Sequence, residues 1–292
     1  MNRTELQEHV TGLIIAQLEQ GNVPWSKGWS SHGFMASNLV SGKSYRGINA
    51  LILSMLGEEY EHGLWLTYKQ AQALGGQVIK GSKGTHIVYY SPITKKDDLG
   101  EISAKFSLMK SYTVFNIAQC EGITIPAKYL VQGEPVEILP AIEAMKAGYM
   151  NCPPVYYKEQ DRAYYSPSED SITLPSLAQF TSASEHAYTL AHELVHSTGH
   201  ESRCNRWDDE ADKPTKGHKD SYAREELVAE LGACMLLSSL GLEVDIVNSG
   251  AYIKSWLSAL KNDTTLIFSA SGKASKAIEC ILGAEVREEV SA

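Results

Sequence analysis

The amino-acid sequence predicts an α+β fold in two domains: a small α+β N-terminal domain, then a mainly helical domain with a small sheet. Three observations predict it. Helical and strand-like periods alternate through the first ~125 residues. Residues 126–140, "PAKYLVQGEPVEILP", then hold three prolines and one glycine with no helical period. Beyond them, two strand-like stretches give way to helical segments that run to the C-terminus. A chain of 292 residues is long enough for two cores of ordinary size.

Composition narrows the class. Hydrophobic residues make up 43% and charged residues 21%, values that exclude a disordered chain. No apolar run approaches ~18 residues, so no membrane-spanning helix and no membrane partner are expected. The opening "MNRTELQEHVTGLIIAQLEQGNVPW" lacks a basic start, an unbroken apolar stretch and a small-residue cleavage site, so it does not read as a signal peptide. Five cysteines, scattered and without a CxxC pair, fit free thiols in a reducing cytoplasm. The net charge of −9 is unevenly spread: residues 1–130 hold 12 Lys and Arg against 10 Asp and Glu, the remainder 14 against 25. The basic residues of the N-terminal part lie near Trp and Tyr, a better setting for phosphate backbones than the acidic remainder.

The elements follow in order. Leu6, Val10, Leu13, Ile14 and Leu18 recur at helical spacing and predict an amphipathic helix over 4–20, with Thr4 as N-cap and Gly21 as stop. "VPWSKGWSSHGFMASNLVSGKSYRG" reads as a structured loop with a hairpin turn at "SGK". "INALILSMLGEEY" is a second helix, and "WLTYKQAQALGG" a third that starts near Thr67 and ends at Gly75. "QVIKGSKGTHIVYYSPI" and "KFSLMKSYTVFNIAQC" are strands joined by a turn at "KKDDLGE". After the proline-rich stretch come a helix at "AIEAMKAGYM" and strands within "PVYYKEQDRAYYSP" and "DSITLP". Helices from about Ser184 to Thr198 and from about Tyr222 to Leu240 flank a polar loop at 199–220.

The first of that pair carries "HELVHSTGH". Residues i and i+4 of a helix share a face about 6 Å apart along the axis, so His192 and His196 can direct both imidazoles at one ion. Glu193 follows the first ligand and can take a proton from water held at the metal, the HExxH arrangement of two ligands and a general base. Leu190, Leu194 and Val195 supply an apolar opposite face, which argues against a chance match. His200 lies about 12 Å along the axis from His192, too far to share the ion, and reads as a rim residue or loop anchor. The extended motif HExxHxxGxxH matches at Gly199 but fails at its last position, which is Ser202.

"YAREELVAELGACML" is the better source of a third ligand. Glu226 and Glu230 lie one turn apart on one face; Glu226 fits as ligand and Glu230 as the carboxyl group that hydrogen-bonds a ligating histidine. A solvated acidic face is the competing reading. Against it, Leu227, Val228, Ala229, Leu231 and Ala233 surround these carboxylates, where an unpaired charge is costly. Glu225 falls on a different face and reads as the solvated one. The ion expected is Zn²⁺, with Mn²⁺ as the alternative.

Single strands of nucleic acid are held by aromatic faces that stack on bases and by Lys and Arg at phosphates. Trp25, Trp29 and Tyr45 lie beside Lys27, Lys43 and Arg46, while Lys80 and Lys83 flank glycines in a compact basic turn. Asn49 is placed either to hydrogen-bond a base or to cap the second helix. The competing reading makes the tryptophans core anchors beneath a long loop; Trp65 reads as core.

These segments carry a family resemblance that covers the chain to about residue 260. "HELVHSTGH" followed by "YAREELVAELGA" resembles zincin-like metallopeptidase domains in order and spacing. "VPWSKGW", "SYRGINALIL", "WLTYKQAQALGGQVIKGSKGTHIVYY" and "VFNIAQCEGI" resemble the N-terminal domain of ArdC-type antirestriction proteins. The resemblance implies a single-stranded-DNA-binding domain over 1–128, a linker over 129–140 and a zincin-like metallopeptidase domain over 141–292. It implies a plasmid-borne role in protecting DNA that enters by conjugation from host restriction enzymes. It also implies that "SEDSITLP" is the edge strand on which a substrate peptide is laid antiparallel. Two other classes remain open: a non-catalytic coat on single-stranded DNA with a structural metal, and an acidic DNA mimic that occupies the restriction enzyme. A restriction enzyme or another protein is the expected peptidase target.

Overall fold

In a computed structural model, residues 3–25, 36–96, 102–130, 136–207, 219–242 and 250–283 are described, and the account below concerns those. Helix α1 (Arg3–Glu19) leads through β1 (Ser37–Asn38) to α2 (Gly47–Gly57), β2 (Leu64–Thr67), α3 (Tyr68–Ala73) and β3 (Gln77–Val78). Strands β4 (Thr85–Lys96), β5 (Ile102–Asn116) and β6 (Cys120–Glu121) close the N-terminal part. Then come α4 (Ile138–Gly148), β7 (Val155–Lys158), β8 (Tyr164–Ser166), β9 (Ser171–Pro175), α5 (Ala183–Ser197), α6 (Lys219–Ser239), α7 (Gly250–Asn262) and α8 (Leu266–Leu282). The class is α+β. None of the described helices is long and apolar enough to cross a membrane.

The N-terminal sheet runs β1-β2-β5-β4, with β1 parallel to β2 and the other pairs antiparallel. The helix expected from near Thr67 is α3, Tyr68–Ala73. The residues before it form β2, because Leu64, Trp65 and Leu66 are buried on both sheet faces. Thr67 then opens α3 by a capping box: its side chain accepts from the Gln70 amide at 3.3 Å while its own amide donates to Gln70 Oε1 at 2.8 Å. The "SGK" turn holds, with Gly42 at φ +69° and the Asn38 amide donating to the Lys43 carbonyl at 2.9 Å. Helix α1 already begins at Arg3, so Thr4 lies within it rather than at its cap.

Asn49, in the first turn of α2, behaves like a short piece of β-strand. Its Nδ2 donates to the Val88 carbonyl at 2.6 Å, and the Val88 amide donates to its Oδ1 at 2.7 Å. This pins α2 to β4. On the other side α2 packs on α8, and α1 packs on α7. One apolar core therefore runs from Leu6, Val10 and Ile14 through Trp25 to Trp256, Leu260 and Ile267. The rings of Trp25 and Trp256 meet edge to face, 5.2 Å between centroids. Thr11 Oγ1 donates to the Thr264 carbonyl at 2.8 Å, and the Gly47 amide to Ser275 Oγ at 2.7 Å. Helix α4 opens at Ile138, inside the stretch expected as linker.

The C-terminal sheet has the order β7-β9-β8. Strand β9, the "SITLP" segment, is its middle strand, parallel to β7 and antiparallel to β8. This corrects the expectation of an edge strand. Both hydrogen-bonding edges of β9 are taken, and its first four residues are all buried rather than alternating. The edges are β7 and β8, where Tyr156, Tyr157 and Tyr164 are exposed.

Candidate metal centre

Ser182 caps α5, its Oγ accepting from the Glu185 amide at 3.1 Å. Leu190, Leu194 and Val195 are fully buried on the core side. Helix α6 crosses against α5 with Gly232 at the contact, where an added Cβ would sit 2.8 Å from both Val195 methyl carbons. The missing side chain lets the two helices approach closely enough for carboxylates of α6 to face imidazoles of α5.

At that face His192, His196 and Glu226 offer one donor atom each, all within 4.8 Å of one another. The two Nε2 atoms are 3.1 Å apart. Glu226 Oε2 lies 3.5 Å from His192 Nε2, and its Oε1 3.6 Å from His196 Nε2. Two nitrogens held about 2.0–2.1 Å from one tetrahedral ion stand roughly 3.3 Å apart, so the spacing of the imidazoles fits a shared cation. Two nitrogens and one carboxylate oxygen, without thiolate, form a three-ligand set that leaves a fourth position for water or substrate.

The surrounding groups orient these donors. His196 Nδ1 lies 2.8 Å from Glu225 Oε1, which turns its Nε2 toward the shared point. Glu230 Oε1 stands 3.6 Å from His192 Nδ1, beyond hydrogen-bond length, while Oε2 accepts from the Tyr188 hydroxyl. Burial chiefly pushes the Glu230 pKa up. Burial pulls the His192 pKa down, but the Glu226 hydrogen bond and the charges of Glu193, Glu230 and Glu226 outweigh it and lift it to about 9. Glu193 is buried, 6% exposed, on the helix that carries both histidines.

Glu225 corrects the sequence reading. It is 4% exposed rather than solvated. Helix α6 is buried on nearly every side from Glu225 to Ser238, so it has no wet face at this depth. Arg206, in the turn after α5, forms a two-pronged ion pair with the carboxylate, with Nη2 2.6 Å from Oε1. Burial alone would raise the Glu225 pKa; the Arg206 charge and the hydrogen bonds from His196 and Arg206 bring it down to about 2. Neither Arg206 nor Tyr188 was singled out from the sequence. Tyr188 could have been, since it lies one turn before His192. Arg206 could not, because nothing local points a loop arginine at α6. His200 is held locally, Nδ1 2.8 Å from Ser202 Oγ.

The residues expected to meet nucleic acid divide sharply. Trp25 is fully buried against Trp256 and Asn49 is engaged by Val88, so neither is available to a base; the core-anchor reading holds for Trp25. Tyr45 is half-buried, its hydroxyl accepting from Asn38 Nδ2 at 3.2 Å, and Arg46 forms an ion pair with Glu279 of α8. Lys43, Lys80 and Lys83 are exposed, the last two around Gly81 at φ +91°. Lys27 and Trp29 lie outside the described residues. Tyr112 of β5, not singled out from the sequence, is 38% exposed and packs edge to face with Tyr89, 5.9 Å between centroids.

A helix bearing HExxH, packed on a second helix that presents a carboxylate to it, defines the zincin-like class. Residues 152–273 match the family model described as zincin-like metallopeptidase. Residues 4–115 match that of the N-terminal domain of anti-restriction factor ArdC. The chain belongs to the ArdC family. It superposes on the crystal structures of antirestriction ArdC protein from plasmid R388. For the metal-free form the TM-score is 0.77 at 40% identity, over 94% of this chain and 96% of that one. For the Mn(II)-bound form it is 0.78 at 39%, over 97% and 99%. Uncharacterized protein y4eC of Sinorhizobium fredii is 34% identical over 93% of this chain and 89% of its own length. A DNA primase TraC of Escherichia coli is 32% identical over 96% of this chain, which spans only 20% of that primase.

Proposed function

We propose that this chain is an antirestriction protein that binds single-stranded DNA and carries a metal-dependent peptidase site, protecting DNA that enters the cell by conjugation. The observation that carries the peptidase part is the convergence of His192, His196 and Glu226 on one point with Glu193 on the same helix. Membership of the ArdC family supports the antirestriction role. In this reading the three donors hold one divalent ion. Zn²⁺ suits the nitrogen-rich set; the Mn(II)-bound R388 relative supports Mn²⁺ as the alternative. When bound, the ion would polarise a peptide carbonyl and make water more acidic. Glu193 is the general base that accepts the proton of that water. Glu225 orients the His196 imidazole, Arg206 keeps Glu225 ionised, and Glu230 lends its charge beside His192. In this reading the exposed Lys43, Lys80, Lys83 and Tyr112 contribute to the DNA surface, and Lys27 and Trp29 extend it. The peptidase target is a restriction enzyme or another protein at the same DNA.

Glu193→Ala tests this reading. It keeps all three donors, so metal content and DNA binding should stay at the level of the unaltered protein. Losing a positioned general base typically lowers a rate by about 10²–10⁴-fold, so cleavage of the natural target should nearly vanish and protection of conjugated DNA should fall with it. Full protection by a metal-loaded Glu193→Ala protein would mean that hydrolysis is not how protection works. The chain would then be a DNA coat, or a DNA mimic, with a structural metal.

A further inference from the structure

Cys204 lies in the turn after α5 and Cys280 in the last turn of α8. The Cys204 thiol reaches the Lys276 carbonyl at 3.6 Å, and Lys276 is one turn before Cys280 on the same face of α8. A helical side chain leans over the turn N-terminal to its own Cα, so the Cys280 thiol covers the same turn of α8 that the Cys204 thiol reaches. Both side chains are half-buried, so small solutes can reach them, whereas Cys234 is buried in the core. The Tyr149 hydroxyl, 3.2 Å from Ser197 Oγ, and the Arg203 guanidinium stand close by. The neighbouring Cys204 thiol chiefly, with Arg203 and Tyr149, outweighs burial and lowers the Cys280 pKa to about 7. The Cys280 thiol, with burial, pushes Cys204 up. A thiol that ionises near neutrality beside a second thiol is the arrangement of a peroxide-reactive pair with its resolving partner.

We propose that Cys204 and Cys280 are a peroxide-sensitive dithiol that closes to a disulfide and fastens the turn after α5 to α8. The Cys280 thiolate attacks hydrogen peroxide; an S–O bond forms, the O–O bond breaks, and hydroxide leaves and takes up a proton. Cys204 then gives up its proton and attacks the sulfenic sulfur; the S–S bond forms and the S–O bond breaks, with the second oxygen departing as water. Two thiols lose two electrons and two protons, and one peroxide becomes two waters. The fastened turn is the one that serves the metal centre. Its Arg203 holds the Ser197 carbonyl at 2.7 Å, and its Arg206 holds Glu225 behind His196.

The test uses the full chain, metal-loaded, exposed to limiting hydrogen peroxide, alkylated and mapped by mass spectrometry after proteolysis. A peptide linking Cys204 to Cys280 should dominate the oxidised products and disappear on reduction with dithiothreitol. Cys204→Ser should give no disulfide and leave a Cys280 sulfenic acid that dimedone traps. Cys280→Ser should leave Cys204 reduced at the same dose. Retention of all five thiols under conditions that oxidise free cysteine would overturn the proposal, as would a dominant disulfide through Cys152. The mapping of the unaltered protein decides the matter even if a variant folds poorly.

Discussion

At the scale of single residues, Arg206 and Glu226 are the most informative. Arg206 and Glu225 are both under a tenth exposed, so removing one leaves the other's charge buried and uncompensated. Breaking such a pair typically destabilises by about 3–5 kcal/mol. Arg206→Ala should lower the melting temperature of the metal-free protein accordingly, and Arg206→Lys should restore only part of the loss because it cannot make both prongs. The pH dependence has a definite sign. Glu225 titrates near 2 in the fold and near 4.5 as a free side chain, so its stabilisation is present above about 4.5 and fades as the pH falls toward 2. An Arg206→Ala protein should show a shallower loss of stability across that acid range, measured by urea unfolding at several pH values. Glu226→Ala removes one of three donors and should weaken retention of the divalent ion sharply in a competition with a chelator. Unchanged retention would point to Glu230 as the third donor.

At the scale of elements, the metal centre depends on how closely α5 and α6 approach. Gly232→Ala puts a methyl carbon against both Val195 methyls, an overpacking that typically costs about 1–3 kcal/mol. The variant should also hold metal more weakly, since any separation of the helices draws Glu226 away from the imidazoles. Equal affinity would show that the helices shift along rather than apart. Much of this was legible in the sequence, because the HExxH helix, its apolar back and the i, i+4 glutamates are local patterns. The helix start near Thr67 and the turn at "SGK" were local too. What could not be read is what depends on distant partners. The middle position of β9 is set by strand order. Glu225 looked wet because its own helix offered it no partner, and its partner comes from a loop. Trp25 sat in a Gly/Ser-rich stretch beside lysines, and only Trp256, more than two hundred residues on, makes it core.

At the scale of the whole molecule, charge and burial pull the two proposed activities apart. Single-strand binding through lysines should weaken with salt, because each phosphate contact releases counterions. Replacing both Lys80 and Lys83 by alanine should reduce the log–log salt slope by about 1.4 if both touch phosphate, with metal content unchanged. An unaltered slope would take the turn at 80–83 out of the DNA surface. A fragment of residues 1–130 would leave Leu6, Val10, Ile14 and Trp25 without their cover from α7 and α8. It should bind hydrophobic dyes and melt without a sharp transition, so DNA binding is best measured on the full chain.

That shared core bears on how such a sequence is inherited. The TraC primase match runs across 96% of this chain while filling a fifth of the larger protein, so the two halves recur together as a block. Interlocked tryptophans from opposite ends of the block give a physical reason. A recombination that carried off either half alone would deliver a greasy, unfinished surface to its new host. The intact pair brings each half the cover its tryptophan needs.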